Sequence, residues 1–265
     1  MAIRVYEAVL VGLGAMSAMQ LAFYFVQRAR RDAGIVDAGW AFGLGLLAAF
    51  YAVVGSGDPT RRLILALVAG TWSLRLATYL FVNRVLGPDE DGRYAMLRAQ
   101  WGQRAQLYFF IFFQVQATWS VLFSVPFLVV ANNSAPGFRV WDALGILVAL
   151  VAIGGESLAD WQLARFRANP ANRGKTCRAG LWGWSRHPNY FFEWTHWWAY
   201  VLLGVGSPYV WVTLSGPVVM FLFLYKITGI PYTEKRALAS RGDDYREYQR
   251  TTSAFIPWFP RKRRA

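Results

Sequence analysis

"LYFFIFFQVQATWSVLFSVPFLVVA", Leu107 to Ala131, runs for 25 residues without a charged side chain. A bilayer core is crossed by roughly 20 apolar helical residues, so this run is long enough to span one. Similar spans lie near 5–27, 34–54, 63–82, 140–163, 190–206 and 209–227. The chain is 55% hydrophobic and 17% aromatic, with 13 tryptophans that a soluble core of 265 residues would not need. These features predict an all-α polytopic membrane protein of about seven transmembrane helices. No low-complexity segment, clear repeat or linker divides it. Residues 1–265 therefore read as one domain with a polar tail at 228–265.

The net charge of +13 raises the question of nucleic acid, and its distribution answers it. Segments 28–33, 83–106, 164–189 and the tail from Lys226 hold 3, 4, 6 and 10 of the 28 lysines and arginines. The opposite side holds only Arg4, Arg61, Arg62 and Arg139. Such one-sidedness is the positive-inside pattern, and it predicts an external N-terminus and a cytoplasmic C-terminus. The first span has one Arg before it and no small-residue cleavage pattern after it, so it reads as a retained helix. The partners expected are membrane lipids and a lipophilic small molecule, with no nucleic acid and no protein partner. One cysteine and two histidines leave no basis for a thiolate or His-rich metal centre.

A charged group within a span costs about 2.5–3.5 kcal/mol at mid-helix, so each one needs a partner or a cavity. Asp37 lies in the second span and Arg75 in the third, where Trp72 precedes it and Tyr79 follows it by one turn. Asp37 and Arg75 read either as an ion pair that orients two helices, or as a carboxyl and a phenol facing a substrate cavity. Glu156 and Asp160 share one face of the fifth span, with Arg167 two turns on. Like charges at that spacing repel unless donors serve them. In "GLWGWSRHPNYFFEWTHWW", Gly180 to Trp198, Pro188 suits a first helical position. A helix starting there carries Asn189, Glu193, and His196 or Trp197 on one face, with Arg186, His187 and Asn189 at its mouth. A helix N-terminus beside a guanidinium attracts anions, phosphates especially.

The region "DWQLARFRANPANRGKTCRAGLWGWSRHPNYFFEWTHWW", followed by "EKRALASRGDDYREYQRTTSAFIPW", resembles the bacterial membrane proteins related to steroid 5α-reductase. The resemblance extends, more weakly, to "IVDAGWAFG" and "TWSLRLATYLFVNR". It implies a helix bundle with NADPH in a cytoplasm-facing cavity, reducing a carbon–carbon double bond conjugated to a carbonyl in a lipophilic, steroid-like substrate. Carried over by residue, it places Asp160, Arg167, Lys175, Asn189, Glu193 and Trp197 at the cofactor. Glu156 falls on a further polar position there, and Arg186, His187 and Tyr190 belong to the shared "RHPNY" element. Glu234, Arg236, Tyr245 and Tyr248 are expected to close over the adenosine end.

Asp37 matches the glutamate that polarises the substrate ketone, with Tyr79 as an alternative donor and Trp72 at the position of its partner tyrosine. The chain departs from the pattern at Val36, at Trp72 and at Phe192, where relatives carry Gln, Tyr and Gly. Two other readings use the same polar residues: an S-adenosylmethionine-dependent methyltransferase, and a non-catalytic sterol- or lipid-binding protein.

Overall fold

The computed structural model describes residues 4–87 and 89–261, and its repeating elements are helices. Within hydrocarbon no water satisfies backbone N–H and C=O groups, so a spanning segment must bond within itself. Helices α1 (Val5–Arg30), α2 (Ile35–Val54) and α3 (Pro59–Leu80) come first, α3 running into a π-helical turn at Phe81–Val85. Then come α4 (Gly92–Trp101), α5 (Ala105–Phe123), α6 (Val125–Ala131), α7 (Val140–Ala168) and α8 (Pro188–Leu203). Helix α9 (Ser215–Leu222) passes through a second π turn at Phe223–Ile227 to α10 (Ile230–Arg241) and α11 (Asp243–Thr251).

Six segments among the described residues are long and apolar enough to cross a membrane: Val5–Arg30, Ile35–Val54, Pro59–Val85, Gly92–Ala131, Val140–Ala168 and Val210–Arg241. The seventh expected span, at 190–206, falls short. Helix α8 has 16 residues and so rises about 24 Å, below the roughly 30 Å of a hydrocarbon core. It stops at Leu203, before a turn in which Gly206 takes a φ of +101°, a conformation that suits glycine. The run at 107–131 is likewise not one helix. Pro126 has no N–H to donate and would crowd the preceding turn, and the chain breaks at Ser124 between α5 and α6. The 83–106 segment, expected as a loop, contains α4, which starts where the Asp91 side chain accepts from the Arg93 N–H.

The chain forms two compact units, one within Met1–Asp142 and Leu203–Ser215, the other within Ala143–Leu202 and Gly216–Ala265. In the first, α1 packs along α5. Gln27 Nε2 donates to Gln106 at 2.9 Å, Ser17 Oγ donates to Gln114, and the Tyr24 ring meets Phe110 and Phe113 edge-on. Helices α2 and α3 lie together where Gly45 leaves room for Ser73, whose hydroxyl donates to the Ala41 carbonyl at 2.7 Å. A methyl on Gly45 would sit 2.3 Å from the Ser73 oxygen.

One end of this unit is tied by Arg61, only 1% exposed. Its Nε and Nη2 hold both oxygens of Asp142, at 2.8 and 2.9 Å. The remaining donors reach the carbonyls of Asn133, Ala135 and Gly137. Asp58 caps α3 by accepting from Thr60 and Arg61, and also takes the Gly137 N–H. The Asn133 amide donates to the carbonyls of Leu203 and Val205. Removing one partner of a buried ion pair costs about 3–5 kcal/mol because the other charge is left uncompensated. Asp142→Ala should therefore lower the thermal unfolding midpoint of the detergent-solubilised chain sharply. The paired change Arg61→Met with Asp142→Leu should recover most of that loss.

Candidate functional site

In the second unit, α7 and α8 share a polar seam. Glu156 and Asp160 on α7 are each 5% exposed, and Glu193 on α8 is 6% exposed. The Asn189 amide crosses from α8 to donate to Asp160 Oδ1 at 3.3 Å. One turn above Glu193, the fully buried Trp197 donates its indole N–H to the Glu193 carboxylate at 3.2 Å. The two helices come close because Gly155 has no side chain. A Cβ there would lie 2.4 Å from the ring of Phe192, which occupies that space. The bulk this chain carries at 192 is accommodated by glycine opposite it. Buried carboxylates must be answered by hydrogen bonds or opposite charge, and this seam concentrates three of them with an amide on two helices.

Beside the start of α8 is a second cluster, centred on Glu234 of α10. Arg186 Nε donates to Glu234 Oε1 at 2.7 Å, and the Gln249 amide donates to Oε2 at 2.7 Å. The Tyr245 hydroxyl and His187 Nε2 lie 3.4 and 3.3 Å from the same Oε1. Arg186 Nη1 also reaches the carbonyls of Gln249 and Thr252. His187 stacks on Tyr190, the rings 7° from parallel, and the Tyr190 hydroxyl meets Thr233 at 3.2 Å. Tyr248 is buried with its hydroxyl on the carbonyls of Trp182 and Ser185. Burial holds the His187 imidazole below its ordinary pKa, outweighing the upward pull of Glu234. The neutral ring must then carry its proton on Nε2, since the carboxylate only accepts. Arg186, His187, Glu234, Tyr245 and Tyr248 thus join in a scaffold that ties α10, α11 and the chain's end to the mouth of α8.

The basic residues divide differently. Arg178 is held by Asp244 at 2.8 Å and lies 3.5 Å from Glu247. Arg167 is exposed in the last turn of α7, Arg173 and Lys175 are exposed in the segment after it, and Arg236 is exposed with its guanidinium 5.8 Å from the centre of the Tyr232 ring.

In the first unit, Asp37 does not pair with Arg75. Its Oδ2 accepts from Arg84 and, at 2.7 Å, from Arg93, while its Oδ1 accepts from the Tyr94 hydroxyl at 2.7 Å. Arg75 instead lies 5.3 Å over the ring of Tyr79. Trp72 is fully buried, and Tyr79 packs with Trp40 against Ala38, Ala41, Ala77 and Leu80. Arg84, Arg93 and Tyr94 were not among the sequence candidates. Arg84 sits in the π turn after α3, a feature frequent at functional sites. The sequence signal for the other two is Asp91 as an N-cap ahead of "GRYAMLRAQW". Among the described residues, no three His, Cys, Asp or Glu side chains are grouped to hold a metal ion.

Residues 23–252 match the family model described as Protein of unknown function (DUF1295), and the chain belongs to that family. No curated protein and no solved structure gives a match.

The His187 environment has a measurable consequence. A histidine whose pKa is lowered on folding binds more protons when unfolded, so its contribution is fully present above the unfolded value of 6.5. It is lost as pH falls from there towards the folded value. Thermal unfolding midpoints should therefore drop as pH decreases below 6.5, and His187→Gln should flatten part of that slope.

Proposed function

We propose that this member of the DUF1295 family is an integral membrane NADPH-dependent oxidoreductase. On this reading it reduces a carbon–carbon double bond conjugated to a carbonyl in a lipophilic, steroid-like substrate drawn from the bilayer. The observation that carries the reading is the α7–α8 seam, where Asp160 meets Asn189 and Glu193 meets Trp197. The resemblance in sequence to the steroid 5α-reductase relatives falls on these same residues.

The donor set fits a dinucleotide. Glu156, Asp160 and Glu193 offer acceptors for ribose hydroxyls and a carboxamide N–H₂, and Asn189 offers both a donor and an acceptor. Arg167, Arg173 and Lys175 are exposed, and multiple cations favour the extra phosphate of NADPH over NADH. Arg186 is committed to Glu234, so it orients the mouth of α8 and leaves the phosphates to those three. The resemblance to bacterial membrane proteins supports an inner membrane, and the excess of basic residues on alternate loops supports an N-terminus outside and a C-terminus in the cytoplasm.

When bound, NADPH would supply hydride to the carbon β to the carbonyl. The protein's own part is to place the enone, exclude water and deliver a proton, so that hydride and proton together saturate the double bond. As negative charge gathers on the carbonyl oxygen, a donor must face it. Both oxygens of Asp37 accept hydrogen bonds from Arg84, Arg93 and Tyr94, which supports a phenol over Asp37 as the proton donor. Tyr79, half-buried beside Trp40 with Arg75 over its ring, takes that role.

Two measurements test this. The purified chain in mild detergent is titrated with NADPH, NADH and S-adenosylmethionine, reading tryptophan quenching and thermal shift. NADPH should bind more tightly than NADH, and Asn189→Ala or Glu193→Ala should weaken it by about 10- to 100-fold, the worth of a hydrogen bond involving a charged group. Binding of S-adenosylmethionine alone would replace the reading with methyl transfer, and binding of none would leave a lipid-binding protein. Once an enone substrate is found, Tyr79→Phe should slow turnover roughly 100- to 10,000-fold with NADPH affinity unchanged.

A further inference from the structure

The last ten described residues do more than close the chain. The segment from Thr252 to Arg261 is strapped to the turn before α8: Arg186 N–H donates to Ser253, Ser185 Oγ to the Phe255 carbonyl, and Trp258 N–H to Trp184. The Arg261 N–H returns to the Thr251 carbonyl at 2.8 Å. Under this strap lies a cavity of about 490 Å³.

Its lining has two parts. Three arginines, Arg186, Arg250 and Arg261, stand on it, and among the described residues no carboxylate does. Arg250 and Arg261 are exposed, and among the described residues neither guanidinium has a hydrogen-bond or ion-pair partner. The other part is aromatic. Phe221 stacks on Tyr225 with ring centroids 5.2 Å apart, and Phe255 meets both rings edge-on. Phe221 and Tyr225 belong to the segment Val210–Arg241, which is long and apolar enough to cross a membrane. Around the rim, Ile256, Trp258 and Phe259 are 57%, 68% and 69% exposed. In water such a cluster would be a liability, whereas at the headgroup level of a bilayer large aromatic side chains are favoured.

We infer that this cavity is a binding site for an anionic phospholipid, its phosphate held by Arg250 and Arg261 and the start of its acyl chains laid against Phe221, Tyr225 and Phe255. Charge complementarity selects the occupant. Uncommitted cations without a carboxylate call for an anion, and the aromatic half at the end of a spanning segment calls for one that carries a hydrocarbon chain. The inference does not rest on the proposed reductase activity.

The test uses the full chain in detergent, with native mass spectrometry reading the lipids retained from phosphatidylglycerol and phosphatidylcholine of the same acyl composition. The wild type should retain phosphatidylglycerol with a preference of roughly fivefold or more, the effect of a basic residue at an anionic bilayer surface. Arg250→Gln with Arg261→Gln should abolish that preference, and Arg250→Lys with Arg261→Lys should keep most of it. An excess of inorganic phosphate or of NADPH should leave the retained lipid in place. No preference in the wild type, or the same preference in the glutamine pair, would overturn the inference. So would displacement by phosphate or NADPH, which would make the cavity a site for a soluble anion.

Discussion

A polar group carried to membrane depth must be answered by the protein itself, because hydrocarbon offers no hydrogen bonds. That constraint organises this molecule. The backbone answers it by coiling into helices. Buried or half-buried polar side chains are matched in four places: Arg61 with Asp142, Asp37 with two arginines and a tyrosine, Glu234 with Arg186 and Gln249, and the seam of Asp160 with Asn189. Three of these read as scaffolding in which every strong donor is matched to an acceptor. The seam differs in kind. It gathers Glu156, Asp160 and Glu193 with an amide and an indole on two helices that glycine allows to approach closely.

The spans were legible because composition alone decides them. Six of seven expected segments are long enough to cross, and the miss at α8 has a physical reason. Gly204, Val205 and Gly206 carry no charge, so the apolar pattern continues past Leu203, while the turn that ends the helix there is invisible to a hydropathy reading. Pro126 is a visible breaker, yet the unbroken apolar run around it reads as one span. Of the candidate site, the seam was legible: Glu156 with Asp160, and Asn189 with Glu193, follow from spacing on single helices. Partners from distant parts of the chain were not. Glu234 lies 48 residues from Arg186, and Arg93 lies 56 from Asp37. Nothing in local periodicity announces either pair.

The two π turns mark a recurring device. Phe81–Val85 and Phe223–Ile227 each end an apolar helix and lead into a polar segment. A π turn admits one extra residue and shifts the helical register, which re-aims the side chains that follow. After α3 the turn carries Arg84 to Asp37. After α9 it leads, through Gly229, to α10 and Glu234. In each unit a polar cluster thus begins at a register change rather than at a simple helix stop.

The knot at Arg61 also orders the making of the protein. Asp142 lies 81 residues downstream of Arg61. At synthesis rates of 5–20 residues per second, about 4–16 s separate the two side chains as they leave the ribosome. During that interval the third helix carries a guanidinium whose burial cannot yet be compensated, so its first turn must stay at the aqueous boundary. Arrival of the α7 N-terminus supplies the carboxylate and lets that end of the first unit lock. Arrival of Asp142, not emergence of the third helix, therefore completes this knot.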